Sequence, residues 1–215
     1  MTVLDMIFDY KVNLPKIYVV GDSISMHYGP YLEKKLENIC RYDRKRGSEN
    51  YFDGPDSANG GDSNMVLEHL KELLKKPDFE IDYLLVNCGL HDIKRYKNYS
   101  TTQVSLEQYS KNLVQIICIS KELKAKLIWM SSTPVEDAIH NKIKSEYKRY
   151  NQDLINYNNT AAKIMKQKNI SLIDLYVFTK ELIPRAYKDH VHYNDETRKK
   201  QASFIAGKLI ELIKR

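Results

Sequence analysis

Gly21-Asp22-Ser23 follows the apolar run KIYVV (16–20), placing a small acid and a hydroxyl where a buried strand stops. Glycine, aspartate and serine also make ordinary turns, so the tripeptide gains chemical meaning only from what the rest of the chain brings to it. A serine hydroxyl is a weak nucleophile at neutral pH and needs a base that a third group orients. The segment KDHVHYND (188–195) offers both, with His192 as base and Asp189 three residues earlier, one turn of loop from the other imidazole nitrogen. Attack on a carbonyl also needs donors for the developing oxyanion. ANGGDSN (58–64) supplies the backbone N–H of Gly61, where no side chain obstructs an approaching group, and GLHD (89–92) supplies the ring of His91. Together these residues suit acyl transfer through a covalent serine intermediate. The G-x-S-x-G elbow is absent, since Ser25 stands where its last glycine would be. A metal-dependent alternative uses Asp189, His190 and His192, with His91, because H-x-H can hold zinc or manganese. H-x-H is short and common, however, and no second ligand cluster accompanies it.

The elements that must position these residues alternate between short apolar runs and long amphipathic ones, which argues for an α/β sheet. KIYVV (16–20), IDYLLVNCG (81–89), AKLIWMSS (125–132) and SLIDL (171–175) read as strands. YGPYLEKKLENI (28–39), MVLEHLKELLKK (65–76), LEQYSKNLVQIICISKEL (106–123), a polar stretch over about 143–168, and the segment from Asn194 to the end read as helices. Asn194 suits the N-cap of the last one. The polar segment between Arg41 and Asn64 has room for a further short strand whose place the pattern does not reveal. Helices between strands imply mainly parallel pairing. In such sheets ligands bind outside the carboxyl ends of the strands, and Ser23, His91 and the Thr133–Val135 segment each follow a strand. One three-layer domain over 1–215 is expected.

A chain of 215 residues with 42% hydrophobic and 29% charged content is of ordinary globular composition. The net charge of +6 is spread over short lysine-containing stretches on helical segments, so it marks solvated faces and excludes a strong nucleic-acid reading. Steering of anionic substrates remains compatible with it. No apolar run approaches membrane-spanning length and the N-terminus lacks the pattern of a secretory leader. Three widely spaced cysteines fit free thiols, Cys88 and Cys118 being expected in the core, and a cytoplasmic location is the simplest expectation. His27 is a candidate for the pocket mouth, while His69 is expected at the border of the apolar face of an amphipathic helix and His140 in a polar loop.

Gly-Asp-Ser after the first strand, a second Gly-Asp-Ser block after a loop, G-x-x-D after the central strand and D-x-x-H before the last helix occur in that order. This series resembles the SGNH hydrolase superfamily, the GDSL-type esterases and lipases, along nearly the whole chain. The resemblance implies a flavodoxin-like α/β/α fold and serine esterase chemistry without metal or organic cofactor. It implies Ser23 as nucleophile with its own N–H in the oxyanion hole, Gly61 as second donor, Asp189 and His192 completing a triad, and Asp22 and Asp92 bracing loops. The superfamily's third block usually reads G-x-N-D, and His91 stands here in place of the asparagine that donates to the oxyanion. GDSISMHYGPY, NCGLHDIK and SSTPVED together resemble a bacterial branch in which histidine at that place is usual and which is carbohydrate-esterase-like. That resemblance suggests O-acetyl sugars or related small-molecule esters as substrates, with an O-acyltransferase using the same triad as the alternative. Tyr28, Asn59, Thr133 and Pro134 are candidate substrate contacts.

Overall fold

The computed structural model describes residues 14–47, 57–96, 100–144, 146–183 and 185–214. The sheet is organised from β1 (Lys16–Val20), second from one edge, whose Ile17, Val19 and Val20 are almost fully buried. It pairs in parallel with β2 (Arg41–Arg44) on one side and with β3 (Tyr83–Val86) on the other. The sheet continues through β5 (Lys126–Met130) to β7 (Ser171–Ile173), giving the order β2-β1-β3-β5-β7 with every pair parallel. β3 and β5 are buried on both faces, as their unbroken apolar character requires.

From β1 the chain runs through α1 (Ser23–Leu36) to β2, then reverses direction through α2 (Ser63–Leu74) to β3 on β1's other side. It continues that way through α3 (Leu106–Glu122) and α5 (Asn151–Gln167). Right-handed crossovers therefore put α1 on one face and α2, α3 and α5 on the other. α7 (Asp195–Ile213) packs along α1, joined by the short α6 (Leu175–Lys180), which completes three layers. Asn194 caps α7 by accepting the Thr197 N–H, as its side-chain type leads one to expect. The reversal leaves a crevice between the carboxyl ends of β1 and β3, where open α/β sheets hold ligands.

Three features differ from the sequence expectation, and one strand that it left unplaced is located. α1 starts at Ser23, not near Tyr28, because Asp22 is its N-cap and accepts the Ile24 N–H at 3.0 Å. The hidden strand in the polar segment is β2, recruited by pairing with β1 despite its charged residues. The helix expected over about 143–168 begins only at Asn151, as α5; β6 (Tyr147–Lys148) takes its first part, after the separate short helix α4 (Asp137–Ile143). β6 pairs antiparallel with β4 (Arg95–Tyr96), and the Lys148 ammonium caps carbonyls of Asn141 and Lys144, so tertiary pairing outweighs local helical preference. Cys118 is exposed on the outer side of α3, while Cys40 and Cys88 are buried. No helix among the described residues is long and apolar enough to cross a membrane.

Candidate active site

Asp22 sets the position of Ser23. Its carboxylate caps α1, so Ser23 occupies the first helical position, at the mouth of the crevice. The first N–H groups of a helix have no intrahelical acceptor, and the Ser23 N–H points with the positive end of the helix dipole. Ser23 Oγ lies 2.9 Å from His192 Nε2, across 169 residues of sequence. His192 Nδ1 lies 2.8 Å from Asp189 Oδ2. The other oxygen of Asp189 accepts the N–H groups of Val191 and His192 at 2.9 and 2.7 Å. Burial alone would push the Asp189 pKa up, but those two N–H groups and the imidazole hold it down, at about 2. An ionised Asp189 can only accept, so Nδ1 carries the imidazole proton and Nε2 is left to accept the serine hydroxyl. The ring of His27 meets that of His192 edge-on, with centroids 4.8 Å apart. Burial, then Arg198 and His192, lower the His27 pKa to about 4, which keeps this neighbour neutral at neutral pH.

The segment after β2 closes the other side. Gly60 N–H donates to Gly21 O at 2.9 Å, and a Cβ at Gly60 would stand only 3.0 Å from that oxygen. Gly61 has φ +67°, and a Cβ there would meet Met65 Sδ at 2.4 Å. Its N–H donates to Asn59 Oδ1 at 2.9 Å, so the expected oxyanion donor holds a bond that an incoming anion must share or replace. Asp62 caps α2, and Asp92 Oδ1 accepts the Ser63 N–H at 2.9 Å, tying this loop to the end of β3. Burial raises the Asp92 pKa to about 7, with the Ser63 bonds opposing the rise. Arg44 binds Ser25 O at 2.9 Å and reaches Ala58 O, fastening the first turn of α1 to the loop before α2.

A cleft of about 510 Å³ opens over these groups. Asp22, Ser23, Asn59, His91 and His192 line it, so the structure brings those expected site residues together. Asp189 and Gly61 reach it only through their bonds to His192 and Asn59, Asp92 is buried behind the lining, and three further residues lie elsewhere. Tyr28 is buried in the second turn of α1 with its hydroxyl on Met130 Sδ at 4.0 Å, because that turn faces the sheet. Thr133 is buried and Pro134 offers its carbonyl inward to Tyr187 and Tyr193, so neither lines the cleft. The alternative metal set does not converge either. Asp189 is occupied by His192, and His190 Nδ1 meets Nδ1 of His140 at 2.9 Å. His140 is a fully buried residue of α4, not the loop residue expected. Among the described residues no group of three such side chains could hold an ion. Sequence reasoning missed Leu90, Lys94, Tyr147 and Arg149, which also line the cleft. Their one sequence signal is the continuation of GLHD into Ile93-Lys94.

Residues 17–205 match the model of the GDSL-like lipase/acylhydrolase family. No curated protein matches the chain. Among solved structures, a lipase/acylhydrolase from Enterococcus faecalis superposes with a TM-score of 0.68 at 15% identity, over 93% of this chain and 97% of that one. A psychrotrophic esterase from Pseudoalteromonas sp., solved inhibited by monoethylphosphonate, gives 0.64 at 15% identity over 94% and 100%. A carbohydrate acetylesterase from Sinorhizobium meliloti gives 0.61 at 14% identity over 92% and 99%. These identities speak to the fold alone, a parallel sheet between helix layers. The family match is of another kind: it runs from β1, which presents Ser23, into α7, beyond His192. The chain belongs to the GDSL-like lipase/acylhydrolase family and is a serine ester hydrolase.

Proposed function

We propose that this esterase removes small acyl groups, acetyl above all, from a carbohydrate or related ester through an acyl-enzyme on Ser23. The observation that carries this reading is the unbroken Ser23–His192–Asp189 chain of hydrogen bonds at the edge of the cleft. His192 Nε2 takes the hydroxyl proton as Ser23 Oγ attacks the ester carbonyl. Asp189 fixes the tautomer and stabilises the imidazolium that forms. The N–H of Ser23 receives the oxyanion, with the Gly61 N–H exchanging its Asn59 partner for it and the His91 ring reaching it from the β3 side. Charge-assisted bonds are roughly twice as strong as neutral ones, which favours that exchange as charge develops. His192 then returns the proton to the leaving alcohol and activates water for deacylation. The scheme calls on no cofactor. The acetyl and carbohydrate parts draw support from the fold shared with a carbohydrate acetylesterase. A cytoplasmic site of action fits the three free thiols among the described residues.

Labelling with a serine-reactive phosphonate followed by mass mapping tests the nucleophile, and the label is expected on Ser23. Acetyl, butyryl and octanoyl p-nitrophenyl esters test the acyl group, and kcat/KM is expected to fall with chain length. A higher value for octanoyl would favour a lipase. Acetylated sugar accumulating in place of free acetate, when a sugar acceptor is added, would make the enzyme an acyltransferase.

A further inference from the structure

His140 is fully buried in α4 and takes no part in the triad. Its Nδ1 lies 2.9 Å from Nδ1 of His190, the two rings meeting at 64° with centroids 4.8 Å apart. Its other nitrogen, Nε2, is buried and has no hydrogen-bond partner among the described residues. Two ring nitrogens this close share one proton, because two protons clash and two lone pairs repel. Both rings are neutral at neutral pH: burial, then Arg149, pushes the His140 pKa down to about 3, and burial lowers that of His190. The orphaned Nε2 decides which ring donates. If His190 donated, His140 would carry its own proton on Nε2, as a buried N–H without an acceptor. If His140 donates, Nε2 is a bare acceptor, and buried acceptors are left unsatisfied more readily than buried N–H groups. His140 therefore donates, and His190 accepts at Nδ1 and carries its proton on Nε2. That edge of the ring is turned away from buried His140, and His190 lines the cleft with Ser23 and His192. The backbone of His190 is held as well, in the turn that the Lys188 N–H closes on His192 O at 2.8 Å. Its position and its tautomer are both set before a substrate arrives.

We propose that the Nε2–H of His190 is a substrate donor that binds an oxygen of the ester's alcohol part, and that His140 is the positioning residue that keeps the proton there. This rests on the small-acyl reading above: the carbonyl oxygen of an acetyl group goes to the oxyanion donors, so the acceptor for His190 belongs to the part that leaves. The pairing repeats, two residues away, the device by which Asp189 fixes the tautomer of His192. It selects a hydroxyl-bearing alcohol such as a sugar over a hydrocarbon one, because a hydrocarbon strips water from the N–H without replacing the bond.

Nitrogen-15 NMR of the imidazoles in the whole Ser23→Ala protein reads tautomer and contact without calling on hydrolysis. The His190 signals, identified by their loss in His190→Gln, are expected to show the proton on Nε2 at neutral pH. Glucose 6-acetate is expected to move the Nε2–H proton downfield, and cyclohexylmethyl acetate, of similar shape without hydroxyls, is not. His140→Leu is expected to raise the pH at which His190 titrates, since a charged His190 no longer sets one N–H against another. Asp189 and His192 of its own turn, and Lys144 and Arg149 beside β6, also act on His190 and stay in place in that variant. A proton on Nδ1 of His190, or an Nε2–H that glucose 6-acetate leaves unmoved, overturns the donor. An unmoved titration in His140→Leu overturns the positioning role. Kinetics of the parent enzyme separate this proposal from the esterase reading. The ratio of kcat/KM for glucose 6-acetate to that for cyclohexylmethyl acetate does not depend on how much of the enzyme is folded. It is expected to fall about tenfold in His190→Phe, the scale of one hydrogen bond. An unchanged ratio, with acetate released from both esters, overturns the donor and leaves the esterase reading standing. No acetate from either ester, with tautomer and shift as expected, overturns the acetyl-esterase reading and supports the donor.

Discussion

Asn59 Oδ1 accepts the Gly61 N–H at 2.9 Å, and Asn59 lines the same cleft as the serine that this N–H is proposed to assist. The bond braces a positive-φ residue and at the same time occupies its donor. Asn59→Asp keeps an acceptor in place but sets a negative charge where an oxyanion must form. Its kcat is expected to fall on the order of 10²-fold, the scale of one lost oxyanion donor, against less than about tenfold for Asn59→Ala. Equal losses in the two variants would show that Asn59 acts through the turn alone. Steady-state kinetics with p-nitrophenyl acetate decides it.

Ser23 and Ser25 lie two residues apart, about half a helical turn, in contrasting surroundings. Ser25 is buried, donates to Asp22 O at 2.7 Å and receives Arg44 at 3.2 Å, so its hydroxyl has no path to substrate. Ser23→Ala is expected to abolish ester hydrolysis with an unchanged circular dichroism spectrum. Ser25→Ala is expected to retain most activity while lowering Tm by a few degrees, since a buried hydrogen-bonded hydroxyl contributes about 1 kcal/mol.

Asp189→Asn leaves a side chain of the same shape that can also donate. The imidazole then has an incentive to place its proton on Nε2, where it cannot accept from Ser23. A drop in kcat of about 10⁴-fold is expected, with KM little changed. A variant within tenfold of the parent would remove Asp189 from the triad.

His91 stands where the superfamily pattern has asparagine, and it lines the cleft while being largely buried. If its ring donates to the oxyanion, His91→Ala should lower kcat by roughly 10²-fold with little change in KM. His91→Asn should recover part of the loss through its amide N–H. Near-parental kcat in a folded His91→Ala enzyme would rule the donor role out.

Asp92 gives a pH-dependent stability. Burial raises its carboxyl to about 7 in the folded chain, while the unfolded chain titrates near the ordinary carboxylate value. The folded state thus binds the proton more strongly, and its contribution is fully present below about pH 4 and lost as pH rises through about 7. Asp92→Asn keeps an oxygen for the Ser63 N–H and cannot ionise. Its Tm relative to the parent is expected to be higher at pH 8 than at pH 5. A difference that is flat with pH would mean that Asp92 is ionised in the fold throughout that range.

Much of this protein is written locally. β1, β3, β5 and β7 are legible because short apolar runs end at turn-forming residues, and α2, α3 and α7 because their apolar stripes repeat at helical spacing. The Asp189–His192 contact is also local, one loop turn closing on itself through the N–H groups of Val191 and His192. Gly61 suits its place for a backbone reason, since its positive φ is one that residues with a side chain rarely adopt. Other features depend on residues far apart in the chain. Ser23 meets His192 only because α1 and α7 pack side by side. Two-residue strands such as β4 and β6 carry no periodicity, so the chain hides the pairing that takes the first part of its long polar helix. That pairing turns Tyr147 inward and gathers Lys94, Lys144 and Arg149 around it. Along the sequence those cations read as solvated charge, because helical or loop context leaves a lysine in water unless some distant surface encloses it. Conversely Tyr28, expected to open a helix beside Ser23, and Thr133, which follows a strand end, are enclosed by the core. The candidate nucleophile and candidate base follow from residue type and local spacing; their meeting, and which side chains border the cleft, are decided by packing.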